Sequence, residues 1–169
     1  NYADIDSGLF AITQPGNYYL FIESQTGFNT NKYSFRMIDT ATAPATNLTL
    51  DTVINGTANP GSRSDIFRFN GTAGQRLYFN GAETNSEGSW SLWNPANQNI
   101  NGNNLPGDFE TTLPVTGPYL LVAGNRSGVT NTFSYSFQVV TTSTTTNSLT
   151  LGATVTGGLI KAGQEQRFT

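Results

Sequence analysis

A chain of 169 residues is long enough for one domain of ordinary size with chain to spare, or for two small ones. Charged residues make up 11%, well below the ~25% of an average globular protein, and the net charge is −3 with Lys and Arg scattered singly, so no basic patch exists to neutralise phosphates and nucleic-acid binding is excluded. There is no Cys and no His, which removes disulfides, thiol chemistry and the usual zinc and copper ligands; no apolar run approaches the ~20 residues of a membrane span, so no membrane insertion is expected.

Thr, Asn, Ser and Gly fill the places that Lys and Glu usually take, which favours strands and turns over helices. In chain order, Asp4-Ile5-Asp6-Ser7-Gly8 comes first, with oxygen ligands at alternating positions, the way calcium loops begin. Asp4 and Asp6 are therefore candidate calcium ligands, although no Glu follows at the EF-hand distance and a polar Asx-capped turn accounts for the same residues. No other cofactor is implied. Strand patterns follow at Gly16–Ile22 and Tyr33–Ile38. Ile66-Phe67-Arg68-Phe69 alternates apolar and polar residues before Asn70-Gly71, and Gln75–Phe79 runs to Asn80-Gly81. Trp90-Ser91-Leu92-Trp93 closes on Asn94-Pro95, and Tyr119–Ala123 is apolar throughout, as a strand buried on both faces should be. Phe133–Val139 alternates at period two. No segment carries a helical period of 3.6. The expectation is an all-β chain of β-sandwich or jelly-roll type, with Tyr119, Leu121, Tyr135 and Phe137 in the core.

An internal repeat organises these strands. Gly16-Asn17-Tyr18-Tyr19-Leu20-Phe21-Ile22 returns 101 residues later as Gly117-Pro118-Tyr119-Leu120-Leu121-Val122-Ala123. Tyr33-Ser34-Phe35 returns as Tyr135-Ser136-Phe137, one residue out of phase, while Leu48-Thr49-Leu50 and Gly56 recur at 101 as Leu149-Thr150-Leu151 and Gly157. Ile66-Phe67 corresponds to Arg167-Phe168. The reading is half, whole, half. Residues 1–41 form the second half of a unit, 48–140 a complete sandwich and 149–169 the start of a third, with Thr-rich linkers at 42–47 and 141–148. A period near 100 suits a string of small sandwiches and exceeds a solenoid turn.

Asp65-Ile66-Phe67-Arg68-Phe69, Ala73–Phe79, Leu113-Pro114-Val115-Thr116-Gly117-Pro118-Tyr119-Leu120-Leu121-Val122 and Tyr135-Ser136-Phe137 together form a pattern that resembles the bacterial pre-peptidase C-terminal domain. It is also similar to the related β-sandwich repeats of very large bacterial surface proteins. The resemblance implies a secreted or cell-surface, non-catalytic module that accompanies proteases or is strung in arrays. With no protease domain in the chain, only the array role is carried over.

The residues themselves agree. Nucleophilic triads need a base, and without His only Lys32 and Lys161 offer amines. The carboxylate pairs Asp108/Glu110 and Glu83/Glu87 lie in turn-rich stretches that define no cleft, so no catalytic residue is assigned. Trp90 and Trp93 are candidate carbohydrate contacts, but three residues apart on a strand they point to opposite faces, so one should be core and the other outside. The sequons at Asn47, Asn55, Asn70 and Asn125 are expected by chance in such a composition, and Asn70-Gly71 reads as a turn. The expected function is structural or adhesive, in a secreted or cell-surface protein, with an extracellular fibre as one form it takes. Neighbouring repeats, copies of the chain or a surface polysaccharide are the expected partners. The alternative is a carbohydrate-binding module serving an enzyme elsewhere in the parent protein.

Overall fold

The computed structural model describes residues 10, 12–23, 35, 37, 39–61, 63–82, 87–125, 131–159 and 161–169. Among them every regular element is a strand. The first is short, β1 (Thr46–Asn47), and is followed by β2 (Val53–Ala58), β3 (Asp65–Gly71) and β4 (Arg76–Gly81). Next come β5 (Gly88–Trp93), β6 (Asn99–Asn104), β7 (Phe109–Thr112), β8 (Gly117–Asn125) and β9 (Phe133–Thr141). The chain then passes into β10 (Ser143–Asn147) and β11 (Gln164–Phe168).

Two sheets face each other as a sandwich. One has the order β1-β3-β8-β5-β6, the other β2-β9-β4-β7, and β10 and β11 form a separate pair. Apart from β1 on β3, the pairings within the two large sheets are antiparallel. Alternation sends Phe67 and Phe69, Leu77 and Phe79, Trp90 and Leu92, Tyr119 and Leu121, and Tyr135, Phe137 and Val139 into the space between the sheets. All four residues expected in the core are buried there.

The centre is aromatic. Phe79 and Phe109 stack with ring centroids 4.3 Å apart, and Trp90 stands edge-on to Phe109 at 5.2 Å. Phe137 sits 5.4 Å from Trp90 and 5.2 Å from Phe67, which ties β9 to β3 and β5 across the sandwich. Tyr135 lies directly opposite Gly56, and a Cβ on that glycine would come within 2.1 Å of its ring. The phenol thereby crosses to the other sheet and donates to Asp65 Oδ2 at 2.7 Å; burial, then this bond, push its pKa up.

The Asn-Gly pairs correct one expectation. Asn70-Gly71 and Asn80-Gly81 are the ends of strands, and the turn after β3 is Thr72–Gln75, closed by Gln75 N donating to Thr72 O at 2.9 Å. The glycines serve packing: a Cβ on Gly71 would lie 2.2 Å from Leu113, and one on Gly81 would lie 2.6 Å from the Pro106 carbonyl.

Candidate functional site

Trp90 and Trp93 part as strand alternation requires. Trp90 is fully buried and donates its Nε1 to the Gly107 carbonyl at 3.1 Å. Trp93 is half-buried on the outer face of the β1-β3-β8-β5-β6 sheet, with its Nε1 donating to Ser91 Oγ at 2.8 Å. Cross-strand register sets Arg68, Leu120 and Trp93 in one row on that face. Asp4 and Asp6, the candidate calcium ligands, lie outside the described residues, as does Glu83. Asp108 accepts from Tyr78 Oη at 2.6 Å and from Gly81 N at 2.8 Å, while Glu110 accepts from Arg76. Among the described residues no group of three or more Asp and Glu is placed to hold a metal ion.

The side chains with the richest arrangement gather at the two ends where chain enters and leaves the sandwich. At the entrance, Asp39 caps a turn: its Oδ1 accepts from Ala41 N at 2.9 Å and its Oδ2 from Thr42 Oγ1 at 2.9 Å. These bonds, in that order, with help from the charge of Arg68, hold the Asp39 carboxyl below its ordinary pKa. The chain then meets β3 in parallel for two residues, Thr46 opposite Phe67 and Asn47 opposite Arg68, and Leu48 N donates to Arg68 O at 2.7 Å. Ahead of that contact the two segments stand apart. They enclose a cleft of about 440 Å³ lined by Met37, Asp39, Thr42–Pro44 and Arg63–Ile66.

At the exit the same backbone device recurs. Strands β10 and β11 pair in parallel from Ser143 opposite Gln164 to Asn147 opposite Phe168, and Leu149 N donates to Thr169 O at 2.8 Å. This bond and its entrance counterpart are 101 residues apart at both donor and acceptor. Two further local features share the offset. Asp51 and Gly152 both take positive φ, 62° and 82°. Tyr18 Oη donates to Gln14 O at 2.5 Å, as Tyr119 Oη does to Val115 O at 2.7 Å.

The exit differs in being pinned to the sandwich. Arg76, already gripped by Glu110, donates Nη1 to Glu165 Oε2 at 2.7 Å. Glu165 also accepts from Arg167 Nε at 2.8 Å and from Thr144 Oγ1 at 3.2 Å. The two arginine bonds, that of Arg167 first, pull its carboxyl down to about 2. Lys161 Nζ stands 3.4 Å from Asp51 Oδ1. Burial pushes the Asp51 carboxyl up, but bonds from Thr141 and the charge of Lys161 outweigh it and the net shift is downward. Thr142 fastens the crossing between β9 and β10, its N and Oγ1 donating to Arg76 O at 3.3 Å and 3.0 Å. These ion pairs join residues 89 and 110 positions apart, a separation over which no local pattern could have announced them.

No protein-family model matches the chain, and no curated protein matches it. Solved structures do. The periplasmic inhibitor of g-type lysozyme from Aeromonas hydrophila is 16% identical with a TM-score of 0.47, covering 56% of this chain and 96% of its own. Its counterpart from Salmonella Typhimurium is 20% identical with a TM-score of 0.45, covering 57% of this chain and 99% of its own. The pre-peptidase C-terminal domain of a Bacillus anthracis collagenase is 20% identical with a TM-score of 0.44, covering 57% of this chain and 94% of its own.

Proposed function

We propose that this chain is a non-enzymatic, structural or adhesive stretch of a serial array of sandwich units in a secreted or cell-surface bacterial protein. Its partners in this reading are the neighbouring units, and in a fibre other copies of the array. The observation that carries it is the pair of parallel strand contacts 101 residues apart, at the entrance and exit of one sandwich, with the same terminal hydrogen bond from Leu48 and from Leu149. Serial units make such contacts because each begins by laying its opening strand beside its own third strand. Pulling the chain from its ends by single-molecule force spectroscopy tests the reading. A structural unit should open in one cooperative step that releases roughly 300 Å, the extended length of residues 48–140. Gradual lengthening at low force would remove the load-bearing role.

A second reading, a carbohydrate-binding module, is favoured by the row of Arg68, Leu120 and Trp93 on the outer face of one sheet, where a half-buried indole stands in line with a half-buried guanidinium whose Nη2 has no hydrogen-bond partner among the described residues. Titration with soluble polysaccharides separates the two. Quenching of tryptophan fluorescence that disappears in Trp93→Phe would favour the module, and a flat titration would favour the array.

A further inference from the structure

We propose that the exit end of the sandwich is a charge-addressed docking face, which accepts the opening turn of the following unit only when that turn carries a cation, a glycine and an anion in the order of residues 161, 163 and 165. The proposal rests on the array reading and adds to it a rule for which unit follows which.

The face is built before its occupant arrives. Asp51 comes from the turn between β1 and β2, where Thr141 N holds its Oδ1 at 3.2 Å. Arg76 and Tyr78 come from β4, and Glu110 across the β4–β7 ladder fixes the Arg76 fork so that its Nη1 is left to point outward. Each element of the occupying turn answers one feature of this face. Lys161 meets Asp51 and Glu165 meets Arg76. Between them Gly163, at φ 71°, lays its backbone on Tyr78, where an added Cβ would fall 2.8 Å from the Tyr78 Cβ. Only glycine meets both the backbone angle and the space.

The sandwich's own opening turn provides the contrast. At the places equivalent to Lys161, Gly163 and Glu165 it has Pro60, Ser62 and Ser64. It has neither charge at those places, its one cation, Arg63, pairing with Asp65 instead, and it has a serine where the face leaves room only for glycine. The two turns are therefore not interchangeable. An exposed ion pair alone is weak, but two pairs and a steric filter acting on one turn discriminate by what a wrong turn leaves unpaired or crowded.

Hydrogen exchange on the whole 169-residue chain, read by mass spectrometry, tests this. Three proteins are compared at low salt: the chain itself, Lys161→Gln/Glu165→Gln, and a chain whose residues 161–165 are replaced by Pro-Gly-Ser-Arg-Ser, the sequence of 60–64. The amides of β10 and β11 should exchange about fivefold faster in the double variant, and tenfold or more in the replaced turn, while those of Tyr119–Ala123 are unchanged. Equal protection of β10 and β11 in all three would overturn the address and leave the array reading standing. Absence of protection there in the unaltered chain would instead sink the array reading and the address with it. The double variant alters one exposed and one half-buried side chain, both outside the sandwich core, so its outcome is read on a folded sandwich.

Discussion

The entrance and exit of the sandwich use one backbone device with different side chains, and the difference explains why one is open and the other closed. Leu48 N and Leu149 N each donate across the parallel ladder, and in such a ladder alternate residues face the partner strand. Four residues before Leu149 stands Thr145, with an N–H to give; four residues before Leu48 stands Pro44, which has none. The exit ladder accordingly runs five residues, Ser143–Asn147, whereas the entrance ladder runs two, Thr46–Asn47. The cleft at the entrance lies between Thr42–Pro44 and Arg63–Ile66, whose equivalents at the exit, Ser143–Thr145 and Gln164–Arg167, fall within the β10–β11 pair. One missing donor, together with an Asp39-capped turn that sets the approach, separates a slot from a zipped joint.

The strongest test of the comparison removes what both joints share. Phe137→Ala takes out a fully buried ring that touches Phe67 and Trp90, and should cost about 3–5 kcal/mol in chemical unfolding. If the joints depend on the sandwich, protection at Thr46–Asn47 and at β10 should fall together. A loss under about 1 kcal/mol would mean that this ring is not the keystone of the two sheets.

Exchanging the donors should then convert one joint toward the other. Thr145→Pro deletes the central donor of the exit ladder and should cost about 1–2 kcal/mol of local stability, seen as faster exchange at Thr144–Asn147. Unchanged exchange there would show that the side-chain clamps alone hold β11. Pro44→Thr restores the donor at the entrance. Its gain should be smaller, about 0.5 kcal/mol, because losing proline also frees the unfolded chain. New protected amides at 44–45 would sharpen the comparison, and none would make the Asp39 turn, not the proline, the reason for the gap.

Much of this architecture was written in side-chain alternation. Period-two runs gave β3 and β9 and placed Tyr135 and Phe137 on one face, a continuous apolar run gave β8, turn signals bounded β4, and the three-residue spacing parted Trp90 from Trp93, which the structure places inward and outward. Strand β6 escaped notice because Asn99–Asn104 has no apolar rhythm. Its inward Asn101 and Asn103 work by hydrogen bonding, donating to Glu110 O at 3.0 Å and Asp108 O at 2.9 Å to close the sandwich edge. The joints were harder still. The threonines of 143–147 carry strand propensity, but the partner that makes them a strand begins at Gln164. The grip of Arg76 on Glu165 depends on where folding has carried each of them. Asn70-Gly71 shows the converse hazard: a strong turn signature is spent on close packing under Leu113 and Tyr119.

The smallest effect concerns acid, and it separates the joints by a single residue. Glu165 is held at about 2 by hydrogen bonds from Arg167 and Arg76, against an ordinary 4.5. A group whose pKa is lowered in the folded chain contributes stability that is fully present above its unfolded value and is lost as pH falls through its folded value. The exit should therefore be constant from neutral pH down to about 4.5 and loosen between there and about 2. The entrance has Ser64 in place of Glu165, and its own carboxylate, Asp39, starts from 3.8 and is lowered from there. Its loosening should begin at lower pH. Following the Glu165 side-chain carbonyl carbon by NMR, with the Thr144 and Asn47 amides beside it, resolves the two events. Acidification should move Thr144 before Asn47, and Glu165→Gln should flatten the Thr144 response. A Glu165 midpoint near 4.5 would mean that neither Arg167 nor Arg76 holds it in solution, and the contrast between a clamped exit and an open entrance would then rest on Pro44, the Asp39 turn and the Lys161–Asp51 pair.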